Sequence, residues 1–340
     1  GLELAPNYAA GYVHYAVFLH GNSRAGEAID VITRARQIDP LTPELHLFHA
    51  NLLMIVRSDV AEHDRLVREA LKINPKLRDA VLQLAYSRWE FSGEFAEAAQ
   101  LAEKAVELDP QWLAGAAMAR DAYLDLGDES AAAAMMNGSA PAAMSMEIAQ
   151  YEANRAGAAA LLNDVPPEYW ADIGAQASHA EAVRDQALVS GNYGSALRTM
   201  EKIQTVWAND PRMWHRGFSL VYAHTLVLAG EVERGRALAR SIIGMLDTHS
   251  VGRASNFLCR ERANAFAILG DDERTLQELA LSVEQRKLYR WWYLAKLDPL
   301  YAHLRDDPRF RALDEQARKH LDHQRALLEQ MRLKGEIPRH

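Results

Sequence analysis

Apolar positions recur at three- and four-residue spacing over long stretches and nowhere alternate with period two. That pattern predicts helices and essentially no sheet. Early in the chain Tyr12, Tyr15, Ala16 and Leu19 mark one helix, and Ala28, Ile32 and Ala35 mark the next. Further on, Leu82, Ala85, Tyr86 and Trp89 are followed by Ala98, Ala102 and Ala105 in the same phase. Small residues let two helices approach closely and bulky ones fill the space beside them, so each pair predicts an antiparallel hairpin. The turns Gly21-Asn22-Ser23, Arg57-Ser58-Asp59 and Ser92-Gly93-Glu94 separate the first helix of a pair from the second.

Prolines punctuate this pattern. Pro6, Pro40, Pro75 and Pro110 follow Leu2-Glu3-Leu4-Ala5, Arg36-Gln37-Ile38-Asp39, Leu71-Lys72-Ile73-Asn74 and Val106-Glu107-Leu108-Asp109, at separations of 34, 35 and 35 residues. Proline ends a helix because it lacks an N–H and restricts the residue before it. A fourth hairpin begins near Leu113 and turns at Leu126-Gly127-Asp128. Register is then lost through 131–167, where Asn137-Gly138 and Pro166-Pro167 are breaks. A second rhythm follows, with turn glycines Gly191, Gly230 and Gly270 separated by 39 and 40 residues. The predicted helices there are 169–189 with 194–208, 212–229 with 232–247, and 252–269 with 272–286.

The period and its small and large positions resemble the tetratricopeptide repeat (TPR), a helix–turn–helix unit of about 34 residues. The Trp place of that pattern is taken by Tyr12, Leu47 and Leu82. Its Leu-Gly places are Tyr15-Ala16, Ala50-Asn51 and Ala85-Tyr86, and its later Tyr place is Leu19, Met54 and Trp89. The second unit departs most, with His63 at the first Ala place. The resemblance implies an all-α fold, a TPR-like right-handed superhelical solenoid of antiparallel helix hairpins. The expected organisation is regular hairpins over 1–130, an irregular helical stretch over 131–168, longer hairpins over 169–289, and a C-terminal cap with a long helix over 290–340.

The closing passage is narrower in its resemblance. Trp291-Trp292-Tyr293, Leu297-Asp298-Pro299-Leu300 and Leu304-Arg305-Asp306-Asp307-Pro308-Arg309-Phe310-Arg311-Ala312-Leu313 look like the end of TPR regions in bacterial signalling proteins. Those regions are fused to a winged-helix DNA-binding domain, a nucleotide cyclase or a protein kinase. Neither cyclase carboxylates nor a winged helix is found in this sequence. Physically, Trp291, Trp292, Tyr293 and Leu297 can cover the last hairpin. Asp307 can cap a helix begun by Pro308. Leu313, Ala317, Leu321, Leu328 and Met331 give that helix an imperfect apolar stripe, which packs back on the array or pairs with a second copy as a homodimer.

Composition narrows the function. Asp and Glu number 46 against 38 Lys and Arg, a formal charge of −8, which argues against direct nucleic-acid binding or an anionic membrane surface as partner. Cys259 is the only cysteine, so neither an intrachain disulfide nor a Cys-rich zinc site can form. No apolar run is long enough to span a bilayer. The opening Gly1-Leu-Glu-Leu-Ala-Pro6 reads like the end of a repeat, which predicts a longer parent. The compartment stays open between cytoplasm and periplasm, with a membrane-anchored parent compatible with either.

No catalytic constellation emerges, and no cofactor or metal is expected. His46 and His49 are spaced i,i+3, with His63 and Asp64 on the paired helix, but no third ligand follows from the spacing. His320 and His323 flank Asp322 on the terminal helix and read as solvated. Cys259 reads as a buried small hydrophobe beside Phe257 and Phe266, although Arg260 and Arg262 could activate an exposed thiol. Phosphate-binding glycine loops and a nucleophile elbow are both missing from the sequence.

The remaining candidate is the concave surface lined by the first helices of the hairpins: Val13, Val17 and His20, then Phe48, Leu52 and Ile55, then Gln83, Ser87 and Glu90. Some TPR proteins clamp C-terminal carboxylates with Lys, Arg and Asn at such places. Here those places hold Val13, Val17, Phe48 and Leu52, so an apolar extended or helical peptide is the expected partner, and a small ligand the secondary one. The same residues could instead pack between hairpins. A second patch joins Trp207, Trp214 and Arg216 with Arg212 and His215, and Trp112 and Trp170 are further interface candidates. The expected function is a non-catalytic protein- or peptide-binding module, the sensory or regulatory part of a larger protein. The alternative is a scaffold subunit of a multiprotein complex.

Overall fold

The computed structural model describes residues 8–21, 24–57, 59–135, 149, 173–207, 216–249 and 258–340. Among these every regular element is helical and no strand occurs. The first hairpins are α1 (Ala9–Gly21) with α2 (Ala25–Ile38), and α3 (Pro43–Arg57) with α4 (Val60–Ile73). Next come α5 (Arg78–Tyr86) with α6 (Phe95–Leu108), and α7 (Leu113–Leu126) with the short α8 (Glu129–Ala134). The irregular stretch expected over 131–168 falls almost wholly outside the described residues. Three more pairs follow: α9 (Ile173–Ser190) with α10 (Tyr193–Trp207), α11 (Arg216–Leu228) with α12 (Val232–His249), and α13 (Cys259–Leu269) with α14 (Asp272–Glu284). The chain closes with α15 (Trp291–Lys296), a 3-10 turn (Pro299–Leu304) and α16 (Pro308–Leu333).

Each pair packs as an antiparallel hairpin, and three pairs of first helices from successive hairpins lie side by side: α5 on α7, α9 on α11 and α11 on α13. The result is an all-α stack of helix pairs in a TPR-like arrangement. Helices α9 and α12 have 18 residues each. Helices α13 and α14, at 11 and 13 residues, are no longer than the early ones.

The boundaries follow from local chemistry. Helices α2, α4 and α6 end on Asp39, Asn74 and Asp109, whose N–H groups still donate to the carbonyls of Ala35, Ala70 and Ala105. Their side chains then accept the N–H two residues on, from Leu41, Lys76 and Gln111, and close a turn around each proline. Asp59, Asp128, Asp271 and Asp307 cap α4, α8, α14 and α16 by accepting backbone N–H bonds.

One break in regularity was not foreseen. Helix α5 continues into a π-helical segment, Ser87–Ser92, which absorbs an extra residue within the hairpin. Burial pairs Ala16 and Leu19 with Ala50 and Leu53, and then with Ala85 and Arg88. In α3 and α5 this register lies one residue earlier than counting back from the prolines gives. The π-turn takes up that residue in the third hairpin.

The apolar interior among the described residues falls into three clusters. One joins α1–α5, from Ala16 to Leu84. Another joins α9–α11, from Ala180 to Leu226. The largest runs from Val81 to Ile337 and unites the third and fourth hairpins with the closing passage. Helix α16 packs on α14, as a cap would, and also on α6 and α7. Its stripe is occupied there: Ala317, Leu321 and Leu328 are buried, with Leu313 and Met331 packed alongside. The pairing that the sequence left open is therefore made within the chain.

Candidate binding surface

The nine residues read from the first helices have different fates. Val13 and Phe48 are half-buried against the first core, and Val17 is 50 % exposed. His20 and Gln83 are half-buried, and each holds a buried polar atom, Nδ1 and Oε1 respectively, without a hydrogen-bond partner. Two of the nine require correction. Leu52 is fully buried among apolar neighbours, so it supports the wall from behind. Ser87 is buried as well and donates its hydroxyl to Asp64 Oδ1 at 2.6 Å. The side chain of Ile55 lies outside the described residues. So do those of Trp207 and Arg216, together with Trp214, Arg212, His215 and Trp170. Trp112 is half-buried, with the Arg78 guanidinium 4.5 Å from its ring centroid.

Glu90 belongs to a stretch that the chain itself covers. The segment following α14 lies against the π-turn. The rings of Trp89 and Tyr289 stand 5.1 Å apart, and the Lys287 ammonium lies 5.7 Å from the Phe91 ring centroid. Asp125, on the neighbouring first helix, accepts Trp89 Nε1–H at 2.7 Å and the Arg290 backbone N–H at 2.6 Å. Burial pushes this carboxyl well above the usual range, against the pull of those two donors. Gly93 is required here twice over. Its φ is +64°, and a Cβ would sit 2.5 Å from the Arg286 carbonyl oxygen.

Beyond Asp125 the closing passage meets the first helices of the later hairpins through buried charges. Arg184 on α9 donates to Tyr293 Oη at 2.7 Å and pairs with Asp185 and Asp298 at 3.2 Å each. Arg290 pairs with Glu181 at 2.6 Å. Burial raises the Glu181 carboxyl, and Arg290 and Arg184 oppose that shift. His224 on α11 stands 3.5 Å from Arg184; burial, then the nearby guanidinium, pushes its pKa down to about 3. These residues tie the closing passage to the array. Sequence reading missed them because charges on a helix face ordinarily mean solvent. The available signal was their phase, since Arg88 and Arg184 fall in register with neighbouring apolar core positions.

The histidine candidates are structural too. Arg36 donates to His49 Nδ1 at 2.9 Å and His46 Nδ1 at 3.2 Å, and also to Glu69 at 3.2 Å. His46 Nε2 lies 2.9 Å from the Pro40 carbonyl, and its Nδ1 lies 3.4 Å from the Glu69 carboxylate, so the ring is held from both sides. Asp64 is shared by His63, Ser87 and Arg88. Among the described residues no group of His, Cys, Asp and Glu could hold a metal ion. Cys259 is buried, and its thiol is pushed up by burial. Among those residues, too, no helix is long and apolar enough to cross a membrane.

The paired helices, the recurrent small residues at their crossings and the side-by-side first helices together decide the architecture. The chain has a TPR-like helical-repeat fold. No family model matches the sequence, and no curated protein matches it. Solved structures do. A chain of the APC/C hetero-tetramer Cut9–Hcn1 is 12 % identical at a TM-score of 0.44, covering 93 % of this chain and 56 % of that one. A tetratricopeptide repeat protein from Parabacteroides merdae is 12 % identical at 0.37, covering 91 % and 98 %. A chain of Naa15/Naa10 bound to HypK-THB is 13 % identical at 0.36, covering 96 % and 61 %. The chain thus spans about half the length of the Cut9–Hcn1 chain it matches. These scores lie below 0.5, so the repeat assignment rests on the hairpins themselves. Within the array, the open part of the surface read from the sequence is Val13, Val17, His20, Phe48 and Gln83.

Proposed function

We propose that this chain is a non-catalytic scaffold module that holds a partner protein through an extended segment laid along α1, α3 and α5. The observation that carries this is the combination on those helices. Exposed Val17 and half-buried Val13 and Phe48 offer apolar anchorage, and His20 Nδ1 and Gln83 Oε1 are buried without partners. An extended peptide carries a backbone donor and acceptor at each residue, which side-chain rotation of His20 and Gln83 would bring within reach of both atoms. No lysine or arginine lies in α1, and α3 has only Arg57 at its end, so a terminal carboxylate is not the expected anchor.

A peptide-display selection against the folded chain, followed by calorimetry of the selected peptide, tests this. Binding at one to one is expected, at least tenfold weaker in Val17→Asp or Gln83→Ala, about 1.4 kcal/mol. Unchanged affinity in both folded variants would move the site elsewhere. A second reading makes the module the sensor of a larger signalling protein. It rests on the resemblance of residues 290–315, and the domain content of the intact gene product separates the two.

A further inference from the structure

Among the described residues four arginines are buried: Arg88, Arg120, Arg184 and Arg260. Three of them pair with a carboxylate. Arg88 reaches Asp64, Arg120 reaches Asp121, and Arg184 reaches Asp185 and Asp298. Arg260 pairs with no carboxylate among the described residues. Its Nη2 stands 3.5 Å from the Tyr289 carbonyl, at the limit of a hydrogen bond, and its Nη1 is buried without a partner. The rings of Tyr289 and Trp291 have their centroids 5.2 and 5.7 Å from its guanidinium carbon. Such rings favour a cation but do not neutralise it.

The surroundings add positive potential. Arg260 lies in the first turn of α13. Leu258, at the N-cap, takes the Arg262 N–H on its carbonyl and supplies no side-chain acceptor to the turn. The segment leading into the helix, 250–257, contains no Asp or Glu. Lys287, after α14, is buried as well. The adjoining Cys259 thiol registers this balance: burial raises its pKa, Lys287 pulls it down, Glu261 pushes it up and Arg260 pulls it down. An unpaired buried charge lowers the stability of a fold, and the other three buried guanidiniums avoid that cost.

We propose that Arg260 anchors a binding site for a small carboxylate anion, which Nη1 grips beside the positive end of α13. One negative charge matches one guanidinium without a counter-charge, whereas the extra charge of a phosphate would be buried unpaired. Arg260 is 9 % exposed, enough contact with solvent for a small ion and too little for a folded partner. The site belongs to the last hairpin and is independent of the peptide surface on α1, α3 and α5.

Acetate is the probe. Melts of the 340-residue chain are recorded at neutral pH in sodium acetate and in sodium chloride of equal ionic strength, and saturation transfer to the acetate methyl is followed by NMR. In wild type, acetate is expected to raise the melting temperature above its chloride value in a concentration-dependent way, with transfer to the methyl. Arg260→Met should melt no lower than wild type in chloride, because it removes the unpaired charge, and should bind acetate at least tenfold more weakly. Arg260→Lys keeps the charge but not the planar fork, and is expected to weaken acetate binding while preserving the fold. Wild type that responds alike to acetate and chloride, without transfer to the methyl, overturns the proposal. So does an undiminished acetate response in either folded variant, which would make the binding adventitious.

Discussion

The two ends of the array solve the same problem in opposite ways. At the C-terminal end Trp291, Tyr293 and Tyr301 are buried, and α16 turns its apolar stripe inward and a dense set of charges outward. At the N-terminal end α1 has no charged side chain and leaves Tyr8, Tyr15 and Phe18 in solvent. A stack of hairpins always has two terminal faces that no neighbour covers. Here one face is closed by a dedicated segment and the other exposes aromatic side chains on an uncharged helix. Terminal position alone does not make a cap; the distribution of charge does.

The contrast predicts that the same kind of substitution is severe at one end and mild at the other. The largest effect belongs to Arg184→Met, which leaves Asp185 and Asp298 buried without their cation. Urea denaturation should show a loss of about 3–5 kcal/mol. A loss below 1 kcal/mol would show that the closing passage is held by its apolar contacts alone.

Next is the pH dependence of the same region. The His224 pKa falls from 6.5 unfolded to about 3 folded, so the unfolded chain binds the extra proton as pH drops through that interval. Its contribution is complete above pH 6.5 and is lost toward pH 3, the loss reaching about 3 kcal/mol by pH 4.5. Glu181 and Asp125 act with the opposite sign. Their folded pKa values are raised, so their contribution is present below the ordinary carboxylate range and is lost as pH rises through the folded values. Denaturation of wild type and His224→Asn across pH 4.5–7.5 isolates the histidine. Parallel curves would remove it from the account.

A smaller loss is expected for Ala105→Leu, which overpacks the crossing of α6 with its neighbours by about 1–3 kcal/mol in thermal melts. An unchanged melting temperature would contradict the register assigned to that hairpin. The smallest effect is Tyr8→Asp on the uncovered end, within about 0.5 kcal/mol by the same measurement. A loss as large as that of Arg184→Met would mean α1 is held as firmly as the cap.

Much of this architecture was legible in the sequence because its determinants are local. Asp39, Asn74 and Asp109 before their prolines, and Asp271 after Gly270, act within a few residues. The turns and hairpins therefore fall close to where counting puts them. The π-turn at Ser87–Ser92 was not legible, since one extra residue within a helix leaves the proline spacing at 35, as it is in the second unit. Of the candidate surface, Val13, Val17 and Phe48 lie partly or largely open, while Leu52 and Ser87 are walled in. Helical spacing groups residues on a face but does not say whether another helix lies over it. The contacts of Asp125, Arg184 and Arg290 join residues more than a hundred positions apart, which no local pattern encodes.

A further contact of this kind, where α16 meets α6, bears on synthesis. The Ala96 N–H is bonded by Gln324, 228 residues downstream. At a translation rate of roughly 5–20 residues per second, the start of α6 waits roughly 10–45 s on the ribosome before that partner exists. Through most of that interval Phe95 waits for His320 and the π-turn for Tyr289, both of which lie against them in the finished protein.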